Sequence, residues 1–168
     1  PAPPGRTYLP YQRAGIGYAL RRPHTLFGDE PGLGKTIMAI GVANAMEAQR
    51  ILVVCPASVR LQWAAEVERW RCLKGRIYPI LSSSDGVDPN APVVITSYQL
   101  ASSVAIGDTL AALPWDLVIF DEAHYLKSYK ANRTKRLLGD FAGKHRGLMG
   151  AKRVLALTGT PLPNRPRE

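Results

Sequence analysis

The sequence predicts an α/β fold in which a parallel sheet is covered by helices on both faces. Three observations predict it. Short apolar runs recur at Thr25–Phe27, Ile51–Cys55, Val93–Thr96, Leu117–Phe120 and Val154–Leu157, with stretches of helical character between several of them. These runs are apolar at consecutive rather than alternate positions, as in strands buried on both faces. A glycine-rich turn after the first run opens directly into a helix. A length of 168 residues suits one such domain, expected to occupy 1–168.

The elements follow in order. Residues 1–6 read as an irregular lead-in, and Gln12–Leu20 as a helix weakened by Gly15 and Gly17. After the Thr25–Phe27 strand and the glycine-rich turn, Lys35–Gln49 reads as a helix rich in Ala, Met and Ile. Ile51–Cys55 is a strand stopped by Pro56. A helix over Ser58–Trp70 follows, with Ser58 as its N-cap. Trp63, Val67 and Trp70 share one face of it at i, i+4, i+7 and read as core rather than as base-stacking groups. Arg76–Ile80 is a further strand candidate, and Ser82–Pro92 is a surface loop by its Ser, Asp, Gly, Asn and Pro content. There is no internal repeat.

Composition narrows the function classes. At 46% hydrophobic and 21% charged residues the chain can bury a core, which excludes a wholly disordered tail. No apolar run approaches the roughly 18 residues that a membrane span needs, and Pro1–Gly5 has neither the basic nor the apolar part of a signal peptide. Cys55 and Cys72 are the only cysteines, too few for a disulfide framework or a four-cysteine zinc site. Cys55 reads as a buried free thiol. Together these features predict a reducing, intracellular setting without a membrane: the cytoplasm of a prokaryote or of a phage-infected cell, or a nucleus.

In a parallel sheet of this kind ligands bind beyond the carboxyl ends of the strands, so the residues just after each run are the candidates for chemistry. After the first strand comes Gly28-Asp29-Glu30-Pro31-Gly32-Leu33-Gly34-Lys35-Thr36. The strict phosphate-loop pattern places Gly where Asp29 stands, but the Gly-x-Gly-Lys-Thr core and the strand–loop–helix context are intact. Gly32 and Gly34 allow backbone N–H groups to wrap a phosphate chain at a helix N-terminus. Lys35 can reach the β- and γ-phosphates, and Thr36 can ligate Mg²⁺. After Leu117–Phe120 come Asp121-Glu122-Ala123-His124, 86 residues beyond Lys35. Asp121 is placed to hold the Mg²⁺ shell and Glu122 to accept a proton from an attacking water.

With Leu157-Thr158-Gly159-Thr160-Pro161 added, the set resembles the motifs of superfamily-two helicases, in their order. The finer wording resembles the Swi/Snf-type DNA-dependent ATPases. Asp29-Glu30-x-Gly-Leu-Gly-Lys-Thr is similar to that family's phosphate loop, which accounts for the missing first Gly and brings Asp29 and Leu33 into the ATP-binding set. Pro56-x-Ser58 with Trp63, Glu66 and Trp70 resembles its first DNA-contacting block. Val94-Ile95-Thr96-Ser97-Tyr98 resembles the next block, and Pro161 with Asn164 extends the third ATPase motif. Gln12-Arg13-Ala14-Gly15 and Arg165-Pro166 most resemble the annealing-helicase branch. The sequence departs from the family pattern at Pro31, where Met is usual and which removes one backbone donor, and at Ser128, where Asn commonly follows Lys127.

The resemblance, over roughly residues 8–168, implies a RecA-like phosphate-loop lobe that binds ATP with Mg²⁺ in a motor moving on double-stranded DNA. It implies that Gln12 reads adenine, that Lys35 and Thr36 hold phosphates and Mg²⁺, and that Glu122 polarises water. His124, Thr158, Gly159 and Thr160 would couple nucleotide state to DNA. Pro56, Ser58, Arg60, Thr96, Ser97 and Tyr98 would face the tracked strand, in contacts that position without reading sequence. A second RecA-like lobe, carrying an arginine finger, is expected outside this chain. Two alternatives stand beside this reading: another superfamily-two helicase or restriction-type motor subunit, and a stand-alone non-catalytic module that binds nucleotide or DNA. The formal charge of +9 fits a polyanionic partner. Nine basic residues (Lys127, Lys130, Arg133, Lys135, Arg136, Lys144, Arg146, Lys152, Arg153) and one acid, Asp140, fall between Tyr125 and Arg153. That segment reads equally as a solvated face or as a phosphate-backbone surface.

Overall fold

The computed structural model describes residues 1–28, 30, 32–128, 130–140 and 147–159. Six strands form one sheet in the order β1-β6-β5-β2-β4-β3, and every pairing is parallel. They are β1 (His24–Phe27), β2 (Ile51–Cys55), β3 (Ile77–Pro79), β4 (Val93–Ser97), β5 (Leu117–Asp121) and β6 (Arg153–Leu157). The helices are α1 (Pro10–Leu20), α2 (Lys35–Ala45), α3 (Arg60–Trp70), α4 (Tyr98–Ala101), α5 (Val104–Ala112) and α6 (Asn132–Leu138).

Alternate residues of each strand feed two cores, which is why both faces of the strands are apolar. Phe27, Val53, Ile95, Ile119, Leu155 and Leu157 pack against residues of α1, α2 and α3 such as Ile16, Met38 and Trp63. Leu52, Val54, Val94, Val118, Phe120 and Val154 pack on the opposite side, against Tyr98, Ile106, Leu110 and Leu137 of α4, α5 and α6. The predicted class and its two covered faces are therefore observed.

Several predicted boundaries move, each for a local reason. The first helix begins earlier, at Pro10, where the fixed φ of proline suits the first helical position. Gly15 is a packing residue there: a Cβ on it would lie 2.9 Å from Met38 Sδ across the α1–α2 contact. The helix expected to reach Gln49 ends at Ala45, because Glu47 turns to φ 52° and Ala48 N–H bonds back to Ala43 O at 2.9 Å. Ser58 is not an N-cap. Ala57–Val59 form a 3₁₀ turn in which Val59 N–H donates to Pro56 O at 3.1 Å, and α3 starts at Arg60 with no side-chain cap. β3 is shorter than the expected 76–80, and Ser82–Pro92 is a loop held by Asp85, whose carboxylate accepts the Leu81 and Ser82 N–H groups. Two tethers hold the amino ends of the inner strands, one to α1 and one to the turn that follows α2. The Arg153 guanidinium donates to Ala19 O and to Leu20 O, and Asp116 Oδ2 accepts the N–H groups of Gln49 and Arg50, both at 2.9 Å.

Candidate nucleotide site

Strand register brings the chemistry-bearing loops to one edge. Leu157 pairs with Phe27 on one side and with Asp121 on the other, and Thr158 N–H donates to Phe27 O at 3.0 Å. Gly28 after β1, the Asp121–Glu122 pair and Thr158–Gly159 thus leave the sheet side by side. Adjacent strands lie about 4.8 Å apart, so β1 and β5 end roughly 10 Å from each other. That is a span Lys35 can serve, and its charge is felt at the Asp121 carboxyl.

Gly34 caps α2 with φ 74° and ψ 36°, a left-handed conformation that glycine adopts without steric cost, and no side chain caps the helix there. Gly32 is also left-handed, with φ 87° and open space where a Cβ would stand. An open, uncapped helix N-terminus reached through two left-handed glycines fits a phosphate chain. Lys35 Nζ donates to Glu30 O at 3.0 Å, folded back along its own loop. Gln12 is only 4% exposed; its Oε1 accepts the Leu9 N–H at 3.0 Å, the N3-to-N-cap half of a capping box. Its amide nitrogen lies against Gly34, 2.6 Å from where a Cβ would be. Gln12 therefore touches the loop that its predicted role requires it to accompany. Leu33 is exposed and Thr36 half-buried at the start of α2. Asp29, Pro31, Thr160, Pro161, Asn164, Arg165 and Pro166 lie outside the described residues.

Asp121 is half-buried at the end of β5. Burial raises its pKa, followed by opposing effects of the Trp63 hydrogen bond, which lowers it, and the neighbouring Glu122, which raises it. Trp63 Nε1–H donates to Oδ2 at 2.7 Å, and the Glu122 N–H donates to Oδ1 at 3.1 Å. Glu122 sits at φ 51° and ψ 53°. A non-glycine residue there carries strain of about 1–3 kcal/mol, which marks a backbone held in place by its surroundings. His124 Nδ1 lies 3.1 Å from Glu122 Oε2 but out of hydrogen-bond alignment. The His124 ring stacks on Tyr125 with 4.9 Å between centroids. Among the described residues no group of three or more His, Cys, Asp or Glu side chains could hold a metal by itself. A Mg²⁺ ion here fits the mode in which one or two protein oxygens, from Thr36 and Asp121, are supplemented by phosphates and water.

The two blocks expected to face DNA lie differently. Ser58 is exposed and Pro56 half-buried. Arg60 donates to the carbonyls of Ala57, Ile80 and Leu81 at 3.0, 2.8 and 3.0 Å, bracing the turn after β2. Thr96, Ser97 and Tyr98 are buried. Ser97 Oγ caps α4 by accepting the Leu100 N–H, and Tyr98 O–H donates to the Asp121 carbonyl at 2.7 Å. Tyr98 also stacks on Tyr125 and on Phe120, and burial, then Asp121, pushes its pKa far above the usual range. The Cys55 thiol, beside this cluster and buried as expected, is pushed up to about 12 by burial and then by Asp121. The contacts of Trp63 and Tyr98 with Asp121 were not foreseen. Spacing marks Trp63 as core, which its 2% exposure bears out, but says nothing of where its one N–H points.

The basic segment is partly committed to the fold. Lys152 pairs with Asp116 at 2.7 Å, Arg136 lies 3.6 Å from Asp108, and Arg153 serves the α1 carbonyls. Lys127, Lys130 and Arg133 are exposed just beyond the Glu122 site, whereas Lys144 and Arg146 lie outside the described residues. Among the described residues no helix is long and apolar enough to cross a membrane.

A model of the SNF2-related domain matches residues 11–168. The chain is 37% identical over 167 residues to the DNA annealing helicase and endonuclease ZRANB3 of Bos taurus, covering 95% of this chain and 15% of that protein. It is also 37% identical over 165 residues to a Caenorhabditis elegans homologue of the SWI/SNF-related matrix-associated actin-dependent regulator of chromatin subfamily A-like protein 1, covering 95% of this chain and 23% of the relative. The chain thus spans less than a quarter of the length of these relatives. In fold it is similar to the Sulfolobus solfataricus SWI2/SNF2 ATPase core in complex with dsDNA, with a TM-score of 0.75 and 24% identity over 95% of this chain and 33% of that one.

Proposed function

Because this chain belongs to the SNF2-related domain family, we propose that it is the ATP-binding, RecA-like lobe of a motor that couples ATP hydrolysis to movement along double-stranded DNA. The observation that carries the proposal is the single register row Phe27–Leu157–Asp121, which sets the glycine loop, the acidic pair and Thr158 at one edge.

The roles are proposed from the family resemblance, and position supports them. Gln12, held against Gly34, reads the adenine end of ATP. Gly32, Leu33, Gly34 and the α2 N-terminus enclose the phosphates, with Asp29 completing the loop. Lys35 leaves the Glu30 carbonyl for the phosphates, a stronger partner for an ammonium group. Thr36 and Asp121 would hold Mg²⁺, which neutralises charge developing on the phosphates. Glu122 orients water and takes its proton, with His124 beside it as the first group to sense that change. His124, Thr158, Gly159 and Thr160 link the nucleotide to the DNA side. There, Pro56, Ser58 and Arg60 present the turn after β2, while Thr96, Ser97 and Tyr98 act through backbone and packing. The exposed Lys127, Lys130 and Arg133 supply sequence-independent attraction to phosphate. A second RecA-like lobe, elsewhere in the protein, completes the site with an arginine. The SWI2/SNF2 ATPase core that this fold resembles is bound to dsDNA, which supports a duplex as the track.

The test is the ATPase rate of the full-length protein with and without duplex DNA, repeated for Lys35→Ala. Stimulation by the duplex that disappears in the variant is expected. Equal rates with and without DNA would contradict a translocase.

A further inference from the structure

We propose that Trp63 is a positioning residue for the cation site: its indole N–H fixes the Asp121 carboxylate and ties it to the segment that follows β2. The proposal rests on the reading of Asp121 as the carboxylate that holds the Mg²⁺ shell.

The geometry is specific. Trp63 lies in α3, which follows directly on the Pro56–Val59 turn, and its ring is buried between α3 and the sheet with 2% exposure. Its one polar atom meets Asp121 Oδ2 at 2.7 Å. An indole N–H donates and never accepts, so the sense of this bond is fixed and no flip or tautomer can reverse it. The other carboxylate oxygen accepts the Glu122 N–H at 3.1 Å. Each oxygen has one protein donor and keeps further lone-pair capacity for a cation or its water shell. The main chain of the same residue is held from another side, by Tyr98 O–H on the Asp121 carbonyl at 2.7 Å. Trp63 comes from the segment after β2 and Tyr98 from the segment after β4. Both segments expected to face DNA therefore end on one aspartate, Trp63 on its carboxylate and Tyr98 on its main chain. A tryptophan serving only as core could satisfy its N–H on any nearby carbonyl; this one uses the acid at the strand end.

Groups that hydrogen-bond to metal-ligating residues typically change metal affinity by about 10- to 100-fold when removed. The test is equilibrium binding of a fluorescent, non-hydrolysable ATP analogue to the full-length protein, titrated with Mg²⁺. Trp63→Phe keeps an aromatic ring and loses the donor. Replacement of Trp63 by 3-benzothienylalanine, in which sulfur stands for the N–H, keeps the full ring shape and decides the matter if the phenylalanine variant does not fold. Both are expected to raise the half-saturating Mg²⁺ concentration about tenfold or more, leaving nucleotide affinity in EDTA unchanged. Asp121→Asn is expected to abolish the Mg²⁺-dependent gain. A gain retained in Asp121→Asn would overturn the reading of Asp121 itself. Loss of the gain there, with wild-type half-saturation in the 3-benzothienylalanine protein, would overturn the role of Trp63 alone.

Discussion

Gly34 is the point at which the phosphate loop and the adenine-side glutamine meet, and Gly34→Ala probes both at once. At φ 74° an alanine carries about 1–2 kcal/mol of left-handed strain. Its Cβ would also stand 2.6 Å from Gln12 Nε2. Gln12 must then move, which endangers the 3.0 Å bond from Leu9 N–H to its Oε1, a contact worth about 1 kcal/mol. The total is about 2–3 kcal/mol. Gly32 supplies the control, because its φ of 87° imposes similar strain while no atom lies within 4 Å of the added Cβ. Gly32→Ala should cost only about 1–2 kcal/mol. Denaturant unfolding followed by circular dichroism measures both. In a Gln12→Ala background the extra cost at Gly34 should vanish, giving a coupling of at least about 0.5 kcal/mol. Equal costs at the two glycines, or strict additivity of Gln12→Ala with Gly34→Ala, would refute the contact.

Asn44→Ala should destabilise the chain by about 2–4 kcal/mol in the same assay, because this buried amide serves Tyr8 Oη, Trp70 O and Cys72 N–H at 3.0, 2.7 and 2.8 Å. Asp121→Asn should raise the melting temperature of the nucleotide-free protein at neutral pH. Burial lifts the folded pKa of Asp121 above its usual value, so the folded state holds the proton more tightly. Stability falls as pH rises from the usual carboxyl range through that raised value, and asparagine removes this penalty. Burial opposes ionisation of Asp116, but Lys152 and the N–H groups of Arg50 and Gln49 outweigh it and hold the pKa below the usual value. Asp116→Asn should therefore flatten the loss of stability seen in acid as pH falls through that lowered pKa. The isolated 168 residues should hydrolyse ATP negligibly. DNA-stimulated turnover by this chain alone, abolished by Lys35→Ala, would refute the need for a second lobe.

The strands were legible because burial on both faces demands consecutive apolar residues, and the glycine loop because only a strand–turn–helix setting gives Gly-x-Gly-Lys-Thr its meaning. The acidic pair was legible from its place after Leu117–Phe120. What spacing could not supply was direction. Trp63 and Tyr98 read as a core residue and a surface block, yet the structure turns both onto Asp121. Two helices could have been found. Ser97 and Ser103 each accept an N–H three residues on, from Leu100 and Ile106, the ordinary N-cap signal before α4 and α5. Ser58 misled because Pro56 turns the chain into a 3₁₀ segment first. The basic stretch after Tyr125 reads two ways from sequence, and the structure engages three of its members, Arg136, Lys152 and Arg153, with the fold itself.

In the proposed motor, Glu122 is the base that drives ATP hydrolysis in response to DNA. The most direct test of this role is the turnover of the full-length protein on duplex DNA beside that of Glu122→Gln, with ATP binding measured in parallel. The variant is expected to bind ATP as the wild type does and to lose DNA-stimulated turnover by about 100-fold or more, the contribution of a general base. Unchanged turnover in Glu122→Gln would contradict it.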